Sequence, residues 1–166
     1  MNPTLLANRL QRLRSSELLV DANLLVLFFV GARRPDLIPA FGRTRRYTRA
    51  DFELLGEFLA QFKRMRTTPH VLTEVSNLIG QFSEPLRSEM RRWLSTVVAN
   101  WTETLTASKT IVADPDFPRV GLTDAAISDS STRTSVVLTD DFELAGLLEK
   151  RGFNVIRFAD LQNTFL

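Results

Sequence analysis

Glu17-Leu18-Leu19-Val20-Asp21-Ala22-Asn23-Leu24-Leu25 is the stretch from which the rest of the chain can be read. An apolar run ends in an aspartate, and a second apolar run begins after Ala22 and Asn23. The pattern predicts a short buried strand over 17–21, Asp21 at its C-terminal end, and a turn into a helix over Leu24 to Val30 that stops at Gly31. Ligands of open α/β sheets bind just beyond the carboxyl ends of the strands. Asp21 therefore stands where chemistry is done, and the question is which other segments bring carboxylates to the same place.

A second strand of the same kind is Ser135-Val136-Val137-Leu138-Thr139, which ends at Asp140-Asp141. Phe153 to Phe158 reads as a third strand, and Met65 to Thr67 as a short extended piece. Between them the apolar spacing is helical. Leu5, Leu6, Leu10 and Leu13 predict a helix over 4–14. Thr48 to Arg64 forms another, capped by Thr48 with Asp51 and Glu53 in its first turn. Thr68-Pro69 opens a helix that Gly80 closes, with Thr68 as N-cap and Pro69 at N1. Glu84 to Trp101, a helix starting near Gly121 to Ile127 with Thr123 as its cap, Phe142 to Arg151 and a final turn over Ala159 to Phe165 complete the set. Residues 102–113 are ambiguous, with Thr110 to Ala113 extended. Strands alternating with helices predict one domain over 1–166, a three-layer, Rossmann-like α/β/α fold around a parallel sheet of four or five strands.

Composition narrows the function. The chain of 166 residues has no cysteine, which excludes thiol nucleophiles and zinc-cysteine sites and fits a reducing compartment. Arg9, Arg12 and Arg14 interrupt any secretory apolar region at the start, and no apolar run is long enough to span a bilayer. A cytoplasmic protein with no membrane partner is the expectation. The net charge of +2 conceals a polarity. Residues 1–66 carry 12 Lys/Arg against 6 Asp/Glu, whereas residues 114–143 carry 2 against 7. The first part suits a polyanion and the second suits cations. Within 31–50, Arg33, Arg34, Arg43, Arg45, Arg46 and Arg49 face only Asp36, with Phe41 and Tyr47 interleaved. Such a segment suits nucleic acid, Arg gripping phosphates and rings stacking on bases. The alternative is a solvated loop with both rings tucked into the core.

Several enzyme classes lack their signatures. No glycine-rich phosphate loop follows the first strand, and no Gly-X-Ser-X-Gly elbow is present. Asn23 stands where an aspartyl-phosphate phosphatase would have a second Asp. His70 is the single histidine, too few for a two-histidine ribonuclease.

What remains is acidic. Asp21 and the pair Asp140-Asp141 end core-type strands, while Glu74 and Asp124 lie on helices after polar caps. Glu74 is one turn from both His70 and Asn77, so these three share a helix face. Right-handed crossovers put successive strand ends on one edge of such a sheet. Four carboxylates converging there repel one another unless a cation is bound. Oxygen-only ligands favour Mg²⁺ or Mn²⁺, and two such ions about 3.5–4 Å apart can activate water and stabilise the leaving oxygen in phosphodiester cleavage. Asp129 is one carboxylate more than such a site needs and is read as a surface residue.

Four segments, in this order and spacing, resemble the PIN-domain nucleases: Val20-Asp21-Ala22-Asn23, Thr73-Glu74-Val75-Ser76-Asn77, Gly121-Leu122-Thr123-Asp124-Ala125-Ala126-Ile127, and Val137-Leu138-Thr139-Asp140-Asp141-Phe142. The resemblance runs from about Leu18 to Phe158. It implies a Mg²⁺- or Mn²⁺-dependent ribonuclease that leaves 5′-phosphate and 3′-hydroxyl ends, with an acidic tetrad of Asp21, Glu74, Asp124 and Asp141. Asp140 is the alternative fourth ligand. Asn23 and Thr139 match supporting positions, and Asn77 is a further candidate. The resemblance also implies a possible antitoxin partner, which would plug the acidic cleft with a basic or apolar segment, and a homodimer. The N-terminal helix and the basic 31–50 segment are additions relative to the shorter VapC-type toxins. Rival readings are a non-catalytic RNA-binding module of the same fold and a structure-specific DNA nuclease.

Overall fold

The computed structural model describes residues 3–166, with side chains at Leu6 and from Asn8 onward. The expected inward place of Leu5 lies outside these. In chain order the elements are α1 (Pro3–Leu13), β1 (Glu17–Val20), α2 (Ala22–Arg33), α3 (Arg49–Leu59), β2 (Arg64–Thr67), α4 (Pro69–Ile79), α5 (Leu86–Val98), β3 (Thr102–Glu103), α6 (Ser108–Ile111), α7 (Phe117–Ser130), β4 (Ser135–Thr139), α8 (Phe142–Lys150), β5 (Asn154–Arg157) and α9 (Phe158–Phe165). A short 3₁₀ turn, Pro35–Leu37, follows α2.

The five strands form one parallel sheet in the order β3-β2-β1-β4-β5, covered by helices to make three layers. β1 and β4 are its centre, with Leu19 opposite Val137 and Val20 opposite Leu138. All of β4 and the last three residues of β1 are buried, which is why both read as unbroken apolar runs. Each such Leu or Val stabilises the fold by about 1.5–3 kcal/mol relative to exposure. The order of strands has a consequence for function. From β1 the chain moves outward to β2 and β3, and from β4 it moves the other way to β5. The sheet reverses between β1 and β4, and such a reversal opens a crevice at the carboxyl ends of the two strands. Asp21 follows β1 and Asp140-Asp141 follow β4.

The caps read from sequence are in place. The Thr48 hydroxyl oxygen accepts the Asp51 N–H at 3.2 Å while the Thr48 N–H donates to Asp51 Oδ2 at 2.6 Å. Thr68 Oγ1 accepts the Val71 N–H at 3.3 Å, with Pro69 at the start of α4. Other expectations are corrected. Gly31 does not end its helix, since α2 runs on to Arg33. Its missing side chain instead admits the Phe52 ring of α3, which a Cβ there would clash with. The helix from Thr48 ends at Leu59, leaving 64–67 to pair with β1. Thr110 to Ala113 is not extended, because Ser108–Ile111 is a single helical turn. The run Phe117–Ser130 is two helices joined across a kink at Gly121: a first segment from Phe117 that the sequence did not predict, and a second that starts after Gly121, where a helix start was expected.

Candidate functional site

The crevice at the reversal is a pocket of about 270 Å³ lined by residues of four separate segments: Asp21 and Asn23 at the start of α2, Glu74 on α4, Gly121 to Asp124 on α7, and Asp141 at the start of α8. Each acid is placed by ordinary local structure. Asp21 caps α2, its Oδ1 accepting the Leu24 N–H at 2.8 Å. Asp141 caps α8, its Oδ1 accepting the N–H groups of Glu143 and Leu144 at 2.7 and 3.0 Å. Glu74 is on the turn of α4 after Thr68 and Pro69. Asp124 comes one turn after Gly121, whose φ of 79° and ψ of −178° re-aim the helix. Glycine adopts that backbone without the steric cost a Cβ imposes.

Thr139 joins the two strand ends. Its hydroxyl donates to Asp21 Oδ2 and accepts the Asp141 N–H at 2.9 Å. The Asp140 N–H also donates to Asp21 Oδ2, at 2.8 Å. Asp21 is only 3% exposed. Burial raises its pKa, and the hydrogen bonds from Thr139, Leu24 and Asp140 partly oppose that rise. Among the described residues no hydrogen bond to the Asp124 carboxyl opposes its burial. Desolvation first, then the charges of Asp141, Asp21 and Glu74, push its carboxyl up to about 7. Mutual repulsion among the four acids is therefore felt at Asp124. Among the described residues no group of three or more acidic or histidine side chains is drawn in to ion-coordinating distance; the four carboxylates ring the pocket. An all-oxygen ring of carboxylates is the donor chemistry that hard divalent cations take, and a bound cation would favour the ionised form of Asp124.

Asp140 has a different environment from Asp141. Its Oδ2 accepts the Tyr47 hydroxyl at 2.7 Å and pairs with Arg46 at 2.9 Å, and it does not line the pocket. The two adjacent acids thus divide the work: the Asp140 backbone holds Asp21, and the Asp141 side chain faces the pocket. Nothing near Asp140 in sequence announces this, because Tyr47 is 93 residues away.

The basic segment is also clarified. Tyr47 is 4% exposed and tucked into the core, whereas Phe41 is half-buried and stacks on Phe82 with ring centroids 4.4 Å apart. Arg34 pairs with Asp36, Arg46 with Asp140 and Arg49 with Glu53, while Arg33 lies over the Trp93 ring at 5.0 Å. Arg43 and Arg45 are exposed. The acidic stretch divides in the same way. Arg151 binds Asp114 at 2.7 Å and Asp116 at 2.8 Å, Arg119 pairs with Glu143, and Asp129 lies on the surface. Only Asp124 and Asp141 of those seven acids line the pocket. Asn77 and His70 line an adjoining pocket instead, together with Arg43.

No protein-family model matches the chain, and no curated protein matches it at a significant level. Among the described residues no helix is long and apolar enough to cross a membrane.

Proposed function

We propose that the protein is a Mg²⁺- or Mn²⁺-dependent endoribonuclease of the PIN type. The observation that carries this reading is the arrival of Asp21, Glu74, Asp124 and Asp141 from four separate segments at one pocket over the sheet reversal, with Asp124 raised to about 7 by burial and by the other three. Such mutual repulsion is a standing cost that a bound cation removes. Asp21, Glu74, Asp124 and Asp141 would hold the metal. Bound there, Mg²⁺ or Mn²⁺ supplies the positive charge that activates water and stabilises the departing oxygen of a phosphodiester.

The chain's own residues supply positioning. Thr139 and the Asp140 N–H fix the Asp21 carboxylate, and Tyr47 with Arg46 fixes Asp140. Asp141 is oriented by capping α8 through Oδ1. Asn23 lines the pocket beside Asp21. Arg33, Arg43 and Arg45 are exposed and make no carboxylate pair among the described residues; Arg33 lies over the Trp93 ring, and Arg43 and Arg45 are the ones proposed to hold the RNA backbone. The resemblance to PIN nucleases supports 5′-phosphate and 3′-hydroxyl products, an antitoxin partner and a homodimer as parts of the same proposal, and the cysteine-free composition fits the proposed cytoplasmic setting.

The test is incubation of labelled single-stranded RNA and DNA with the protein in Mn²⁺, Mg²⁺ or EDTA, beside Asp124→Asn and Asp141→Asn. RNA cleavage that needs the metal and is lost in both variants is the expected result. RNA binding with no cleavage in either metal overturns it in favour of a non-catalytic module, and preferential DNA cleavage overturns the substrate.

A further inference from the structure

We propose that the pocket adjoining the carboxylates is a nucleobase subsite, which seats the base next to the phosphate being cut and gives the enzyme a sequence preference. This rests on the nuclease reading for its biological meaning, though not for its test. The adjoining pocket has a volume of about 530 Å³ and shares Glu74, Leu122 and Thr123 with the carboxylate pocket. A strand with its phosphate over the acids therefore has its neighbouring nucleotide beside α4. Pockets of a few hundred Å³ with an apolar lining and a few placed polar groups are the usual form of small-ligand sites.

The lining has that composition. Pro69, Leu78 and the half-exposed Leu122 supply apolar surface for a base face. His70, Asn77 and Ser108 supply the polar edge. His70 Nε2 is 3.0 Å from Ser108 Oγ, a contact that ties α4 to α6 and fixes the ring in the wall. The Asn77 amide, exposed at the pocket, both donates and accepts, as reading a base edge requires. Arg43 also lines the pocket and is the cation of the basic segment that reaches it, placed to meet a phosphate following the base. Tyr47 is buried and the half-buried Phe41 is already stacked on Phe82, so base recognition is assigned to this pocket.

The test is titration of the full chain, in EDTA, with adenosine, guanosine, cytidine, uridine and ribose, followed by NMR. At least one nucleoside is expected to bind about tenfold more tightly than ribose, the margin that stacking and pairing one base provides. His70→Ala and Asn77→Ala, first shown to be folded by their melting curves, are expected to reduce that margin to threefold or less and to leave the Mn²⁺-induced rise in melting temperature unchanged. With a randomised RNA strand, the wild type is expected to prefer one base at a position flanking the cut, and the variants to lose that preference. Nucleosides binding no better than ribose, or a margin surviving in both variants, overturns the subsite. Nucleoside binding without RNA cleavage keeps the subsite and overturns the nuclease.

Discussion

Replacing Asp124 with Asn is expected to stabilise the metal-free protein above neutral pH. Burial and the neighbouring acids push the Asp124 carboxyl up to about 7, against 3.8 for a free aspartate. A neutral carboxyl is therefore favoured by folding. Below pH 4 the group is protonated in both states and costs nothing. Between pH 4 and 7 the unfolded chain ionises it while the fold resists, so stability falls as pH rises, and above 7 the full penalty stands. That rise corresponds to a ceiling of about 4 kcal/mol. Asp124 is partly exposed, and solvent and salt screening of its neighbours halves that figure, while Asn must itself be desolvated in the pocket. The net gain at pH 8 is about 1–2 kcal/mol, which for a chain of this size raises the melting temperature by about 3–6 °C. The assay is thermal unfolding of wild type and Asp124→Asn in EDTA from pH 5 to 8.5. The gap should shrink steadily toward low pH. A variant no more stable than wild type at pH 8, or a gap that does not change with pH, refutes the claim that four carboxylates strain this pocket. Saturating Mn²⁺ should reverse the ranking, because only the wild type gains binding free energy, about 2.7 kcal/mol at a hundredfold excess over Kd.

Removing the hydroxyl in Tyr47→Phe takes a donor from Asp140 and is expected to cost about 1–2 kcal/mol in urea unfolding; an unchanged midpoint would show that Arg46 alone suffices. Thr139→Val leaves Asp21 and the Asp141 N–H without their shared partner. It should destabilise by about 1–3 kcal/mol and weaken the Mn²⁺-induced melting shift, and a variant with a full shift argues against its positioning role. Gly121→Ala forces a side chain onto a φ of 79°. Its expected cost is about 1–2 kcal/mol with loss of cleavage out of proportion to loss of stability, read from kcat well below the melting point. Gly31→Ala should destabilise by about 1–3 kcal/mol through overpacking against Phe52, and Phe52→Leu should recover most of it in the double variant, which additive unfolding energies would rule out.

How far the sequence could be read depended on whether the cause was local. β1 and β4 were legible because burial on both faces leaves an apolar run, and the caps at Thr48 and Thr68 were legible because their partners are three residues away. β3 was not, since its two residues are exposed and only pairing with Arg66 and Thr67 makes them a strand. Gly31 was misread as a stop because its purpose, contact with Phe52, is tertiary. The same distinction runs through the site. The four pocket acids stood out by type and position. The choice between Asp140 and Asp141 could not be made, because it is Tyr47 and Arg46, nearly a hundred residues away in the chain, that occupy Asp140.

The long-range pairs also explain how the acids of the second half divide. A count of 2 basic against 7 acidic residues suggests one large cation site. Yet Arg151 holds Asp114 and Asp116, with the hydrogen bond from Arg151 lowering the pKa of each, and Arg119 holds Glu143. Neutralising those acids with Arg151 from outside the stretch and Arg119 from within it leaves negative charge concentrated where the sheet reverses. Asp140 belongs to both sets: its side chain is neutralised by Arg46, while its backbone N–H stabilises the Asp21 charge beside the pocket. Among the described residues the two carboxyls whose pKa is raised, Asp21 and Asp124, thus both line this pocket, where the proposed cation would relieve their repulsion.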